Sequence, residues 1–109
     1  METFNRQKAL ELVGNDEELL SILLQTFIET EFSSAHLEKL IKENRFEEAA
    51  GYTHRVKGAG RQLAMEKLAA SGQELEDVLR KKKTGDTELL LKTFCADYEQ
   101  ALAEAKSVK

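Results

Sequence analysis

The chain has 109 residues and a formal net charge of −4, a balance that argues against a general nucleic-acid binder, which would normally be basic. It holds no proline, and its single cysteine, Cys95, excludes an intrachain disulfide framework and suits a reducing compartment. No apolar run approaches the ~20 residues that cross a bilayer, and Met1-Glu2-Thr3-Phe4-Asn5-Arg6 lacks the apolar segment of a signal peptide. The expectation is one cytoplasmic domain over 1–109, helical because Leu, Ala, Glu and Lys dominate.

In chain order, a short first helix is expected from Phe4 to Val13, stopped by Gly14. Asn15-Asp16-Glu17-Glu18 resembles a capping box, with Asn15 as the cap and Glu18 reaching back. Leu20, Leu23, Phe27, Thr30, Ser34, Leu37 and Ile41 keep a three-four alternation, which predicts one second helix of about 28 residues and ~42 Å reaching Glu43. Asn44, with Glu47 three residues on, marks the next stop and start. The third helix is expected from Phe46 to Leu63, burying Phe46, Ala49, Thr53, Val56, Gly60 and Leu63.

A break near Ala64-Met65 opens a fourth helix with a Leu68, Gly72, Leu75 and Leu79 stripe. Lys81-Lys82-Lys83 closes it, with cations where the helix dipole favours them. After the Thr84-Gly85-Asp86 loop, a last helix turns Leu91, Phe94, Tyr98, Ala101 and Ala105 inward. Short connections between long amphipathic helices make antiparallel neighbours. The fold class read from the sequence is all-α, an antiparallel up-down four-helix bundle with an additional short N-terminal helix.

The chemistry gathers at Thr53-His54-Arg55-Val56-Lys57-Gly58-Ala59-Gly60. Helical neighbours of His54 at three and four residues are Ala50, Gly51, Lys57 and Gly58. The imidazole therefore stands on a nearly bare strip beside one cation. Glycine costs about 1 kcal/mol relative to alanine inside a helix, so Gly51, Gly58 and Gly60 suggest a close approach to the backbone there. His54 lies one residue past the buried Thr53, at the edge of the stripe, and is expected to be partly exposed. On a helix surface Nε2 is the outer nitrogen, and its neutral form can attack phosphorus. Lys57 can neutralise phosphoryl oxygens as a point charge. No nucleotide-binding glycine loop follows a strand, so the chain is not expected to use ATP itself.

His54, Lys57 and Gly58, followed by Leu63, Leu68, Leu75 and Glu76, resemble the HxxKG core of the histidine-containing phosphotransfer (HPt) domain family. Departures are Val56 for the usual Leu, Ala59-Gly60 for Ser-Ser, Ala64 for a frequent Gly and Gly72 for a frequent Cys; all keep small or apolar character. The resemblance implies the same bundle and a phosphorelay intermediate. His54 would be phosphorylated by a kinase or receiver aspartate, and the group would pass to a response-regulator receiver domain. It further implies that Lys57 stabilises the phosphate, Gly58 gives clearance to the partner, and Glu76 hydrogen-bonds the imidazole from the neighbouring helix. No cofactor of its own is implied, since the receiver brings its aspartates and Mg²⁺. Nor is nucleic-acid or membrane contact implied.

Blander alternatives stand beside these. His36 reads as an ordinary surface residue, with Glu29, Ser33 and Leu40 around it. Arg55, Arg61 and Arg80 read either as solvated charge or as docking residues for an acidic partner. Cys95 reads as core, and Leu89-Leu90-Leu91 as packing. A metal-carrying bundle would need Glu-x-x-His pairs, but Ser33 and Gly51 stand three residues before the two histidines. An HPt-like adaptor without phosphotransfer would have no need of His54, Lys57 and Gly58 together. As a phosphocarrier the chain is not an enzyme in its own right.

Overall fold

The computed structural model describes residues 4–30 and 32–108. Six helices run through them: α1 (Arg6–Leu12), α2 (Glu17–Glu29), α3 (Ser34–Lys42), α4 (Phe46–Gln62), α5 (Glu66–Leu79) and α6 (Thr87–Val108), with no strand among the described residues. Four of them start on a short polar side chain that accepts a free backbone N–H, as helix starts require. Asn5 accepts from Lys8, Asp16 from Leu19, Ser33 from His36 and Asp86 from Leu89.

Four of the stops share one geometry. After α1, α3, α4 and α5 the chain enters the left-handed region, at Gly14 (φ 68°), Asn44 (φ 61°), Ala64 (φ 56°) and Lys81 (φ 62°). At all four ends the next amide reaches back to the helix: Asn15 to the Leu10 carbonyl, Arg45 to Leu40, Met65 to Gly60 and Lys82 to Asp77. These are Schellman closures, which satisfy carbonyls that would otherwise be orphaned. Gly14 therefore ends α1, as expected, and Asn44 ends α3, whereas Asn15, itself at φ 63°, closes α1 with its amide and does not cap the second helix as expected. Asparagine suits both ends of a helix, and here its tolerance of positive φ decides. Asp16 takes the N-cap, and α4 starts at Arg45 without a side-chain cap.

The single second helix expected from the sequence is two helices. Thr30 is extended (φ −61°, ψ 125°) and Ser33 starts α3 afresh. The break lets Phe32 pack inward, with its ring centroid 4.5 Å from Tyr98, 5.4 Å from Tyr52 and 5.7 Å from Phe94. The Ser33 N–H donates to the Tyr52 hydroxyl at 2.6 Å. An unbroken helix could not have turned Phe32 into this cluster while keeping Leu37 and Leu40 buried.

With α2 and α3 as one interrupted rod, four rods enclose the core and α1 lies against α2. The seam between α4 and α5 is the most extensive contact, followed by α5 with α6. Phe27, Phe94, Leu20, Leu37, Leu63, Met65, Leu68 and Leu75 are fully buried. The stripes expected on α4 and α5 are buried except Phe46, which is half-buried; on α6 Leu91 is likewise half-buried and Leu89 is exposed. Among the described residues no helix is long and apolar enough to cross a membrane.

Candidate functional site

The centre of α4 is built from small residues on one side and buried ones on the other. Ala49, Ala50, Thr53 and Val56 face the core, and the Thr53 hydroxyl donates to the Ala49 carbonyl at 2.9 Å, so its burial leaves no donor unpaired. One residue on, the His54 side chain is 59% exposed. A Cβ added at Gly51 or at Gly58 would meet nothing within 4 Å. The chain's own packing therefore does not require glycine at either position, and the backbone beside His54 lies open.

Of the three α4 glycines only Gly60 meets a close approach, with an added Cβ 3.0 Å from Leu68, and a second occurs at Gly72 on α5. A Cβ there would stand 3.0 Å from the Lys57 Cβ and 3.0 Å from the Phe94 ring. The missing side chain admits the stem of Lys57 into the α4–α5 seam. Lys57 is accordingly buried, at 5% side-chain exposure, and is not the mobile cation beside the imidazole that the sequence suggested. Its aliphatic stem packs while its ammonium finds partners. The ammonium donates to Glu76 Oε1 at 2.8 Å and to Gln73 Oε1 at 3.0 Å.

Glu76 is the hub. Its side chain is 7% exposed, and a buried carboxylate is stable only when paired and hydrogen-bonded. Besides Lys57, Arg80 Nε donates to Oε2 at 3.0 Å. His54 Nδ1 lies 3.1 Å from Oε1 and 3.2 Å from Oε2. Burial pushes the carboxyl pKa up, but the hydrogen bonds from Lys57, Arg80 and His54 outweigh it and hold the pKa at about 2. Glu76 is thus ionised near neutral pH and can only accept. Nδ1 must then carry the proton facing it, which leaves the lone pair of a neutral ring on Nε2. Among the described residues Nε2 makes no hydrogen bond.

Sequence reasoning brought His54, Lys57, Gly58 and Glu76 to one place, and the fold groups them around the upper face of the α4–α5 seam. It missed Gln73, and it placed Arg80 at the surface. A signal was available: Gln73, Glu76 and Arg80 are spaced three and four residues apart, on one face of α5. Gln73 is fixed at its other end, its amide donating to Asp77 at 2.8 Å. His36 is exposed, its ring edge-on to Tyr52 at 5.3 Å. Cys95 is half-buried, and burial raises its thiol pKa, which disfavours the nucleophilic thiolate. No group of three or more His, Cys, Asp or Glu among the described residues could hold a metal ion.

An exposed histidine held through Nδ1 in the middle of a helical bundle agrees with what a family comparison finds. The Hpt domain profile matches residues 18–107. The chain belongs to the Hpt domain family. Hpt domains are phosphocarrier modules that work by histidine phosphotransfer in phosphorelay signalling, interacting there with receiver domains and kinases. The match begins inside α2 and runs almost to the end of α6, so it takes in the whole His54 site and leaves out α1. No curated protein matches the chain at the significance required, and no solved structure does.

Proposed function

We propose that His54 is the phosphoryl acceptor of this Hpt domain. It takes the group from a kinase or a receiver aspartate and hands it to the aspartate of a response-regulator receiver. The observation that carries this is the asymmetry of the imidazole, with Nδ1 against an ionised carboxylate and Nε2 on an exposed ring. With an aspartyl phosphate as donor, the Nε2 lone pair forms the N–P bond. The acyl P–O bond breaks, and the donor leaves as a carboxylate. Positive charge then grows on the ring, and the Nδ1–H···Glu76 contact stabilises it as a charge-assisted hydrogen bond. The reverse steps load the next aspartate. Nucleophile activation by a positioned neighbour is the general pattern for such transfers.

Gly58 and Gly51 give the receiver's loops access to Nε2, which fits the open space above both. The receiver supplies its own Mg²⁺. In this resting arrangement Lys57 supports the carboxylate with one of its three N–H donors and holds Gln73 with another.

The test is phosphoryl uptake. Wild-type protein incubated with a phosphorylated receiver domain is expected to gain an acid-labile, alkali-stable label, whereas His54→Gln gains none. His36→Gln should label normally, and both variants should melt near wild type, because exposed side chains contribute little to stability. Label persisting on His54→Gln would refute the assignment.

A further inference from the structure

Arg80 stands outside the sequence motif, and its guanidinium is already committed within the chain. Nε donates to Glu76 Oε2 at 3.0 Å, and Nη1 donates to Glu47 Oε2 at 3.1 Å. Glu47 is on α4, two turns before His54, so this one side chain ties α5 to the helix that carries the imidazole. The outer half of the tie is exposed, since Glu47 has 81% side-chain exposure, and contributes little. The inner half meets the buried carboxylate.

The carboxylate needs that second donor. The terminal torsion of a glutamate is broad and roughly two-fold, so the Lys57 bond to Oε1 alone would let the group turn about that contact. A donor on each oxygen fixes the plane. Nδ1 then sits almost equally far from the two oxygens, at 3.1 and 3.2 Å. We infer that Arg80 is a positioning residue, which sets the plane of the Glu76 carboxylate and thereby the tautomer and orientation of the His54 ring. This rests on His54 being the phosphoryl acceptor. Lysine does not replace arginine well here, because a point charge cannot span Glu76 and Glu47 with one planar fork.

Two readouts separate positioning from docking. Phosphoramidate is a donor without a protein surface: the Nε2 lone pair forms the new P–N bond, the donor's own P–N bond breaks, and ammonia leaves. With it, Arg80→Gln is expected to label about tenfold more slowly, within the range that misplacement of a reacting group costs. The imidazole ¹⁵N signals of His54 should show a smaller Nδ1–H population in that variant. Arg80→Lys should recover part of both. If phosphoramidate labelling and the ¹⁵N signals match wild type, the inference is overturned. Slower transfer from a phosphorylated receiver alone would also overturn it, and would make Arg80 a docking residue. Should His54→Gln still label, the acceptor assignment fails. A changed ¹⁵N tautomer ratio in Arg80→Gln would even then support the positioning of the ring.

Discussion

A lysine on the open face of a helix and a lysine in the seam between two helices respond differently to loss and to salt. An exposed ion pair is worth about 0–1 kcal/mol and weakens as salt is added. Lys57 belongs to the second kind, because Gly72 leaves room for its stem and Glu76 and Gln73 take its ammonium. Removing one partner of a buried pair costs about 3–5 kcal/mol. Here Arg80 still holds the carboxylate, so Lys57→Ala should lose about 2 kcal/mol in denaturant unfolding. That loss should change little between low and high salt; a gap that closes as salt rises would place the ammonium in solvent. The spacing of His54, Lys57 and Gly58 was legible in the sequence, whereas the pairing of His54 with Glu76 was implied only by the family resemblance. The burial of Lys57 was not legible, because it depends on a missing Cβ on the next helix, and helical spacing carries no information across a seam.

Among the helices, the two outcomes at asparagine show what local patterns decide. Most spans were legible from their apolar stripes, and α4 and α5 came within a residue or two of expectation. The interruption between α2 and α3 was not, because its apolar spacing runs straight through it. What interrupts the helix is tertiary: Phe32 packing against Tyr52, Phe94 and Tyr98. The stops, by contrast, lead to a prediction from backbone geometry alone. Lys81 is exposed and sits at φ 62°, where a side chain costs roughly 1–2 kcal/mol. Glycine removes that cost and gives back about 0.4–1 kcal/mol through the freer unfolded chain. Lys81→Gly should therefore raise stability by up to about 1 kcal/mol in thermal melting. Ala64→Gly should come out closer to neutral, since the Ala64 methyl is buried and its apolar contact is lost. A drop in melting temperature for Lys81→Gly would mean that this helix end is closed in some other way.

For the molecule as a whole, the Glu76 hub links the acceptor site to acid stability. Its carboxyl pKa falls from 4.5 to about 2 in the fold, so the folded state favours the ionised form. The contribution is complete above about pH 4.5 and is lost as pH falls towards 2. Glu76→Gln should therefore unfold more easily at neutral pH, and its deficit should shrink across that window when both proteins are melted at stepped pH. A deficit of constant size down to pH 2 would show that the carboxylate is not held ionised by its neighbours.

The interrupted rod also has a consequence in time. Helices of 13 and 9 residues, as α2 and α3 are, fall near or below the ~12–15 residues at which an isolated helix becomes even marginal in water. They depend on the bundle, whereas α4, α5 and α6 hold one another through the two largest seams. Local opening follows such differences in packing. In native-state deuterium exchange, the amides of α2 and α3 should exchange through partial openings that leave α4 to α6 protected. The protected amides of Val56, Leu75 and Phe94 should exchange only with global unfolding. The helix that carries His54 then belongs to the last part of the protein to open, and the rod across from it can come and go without releasing the imidazole from Glu76.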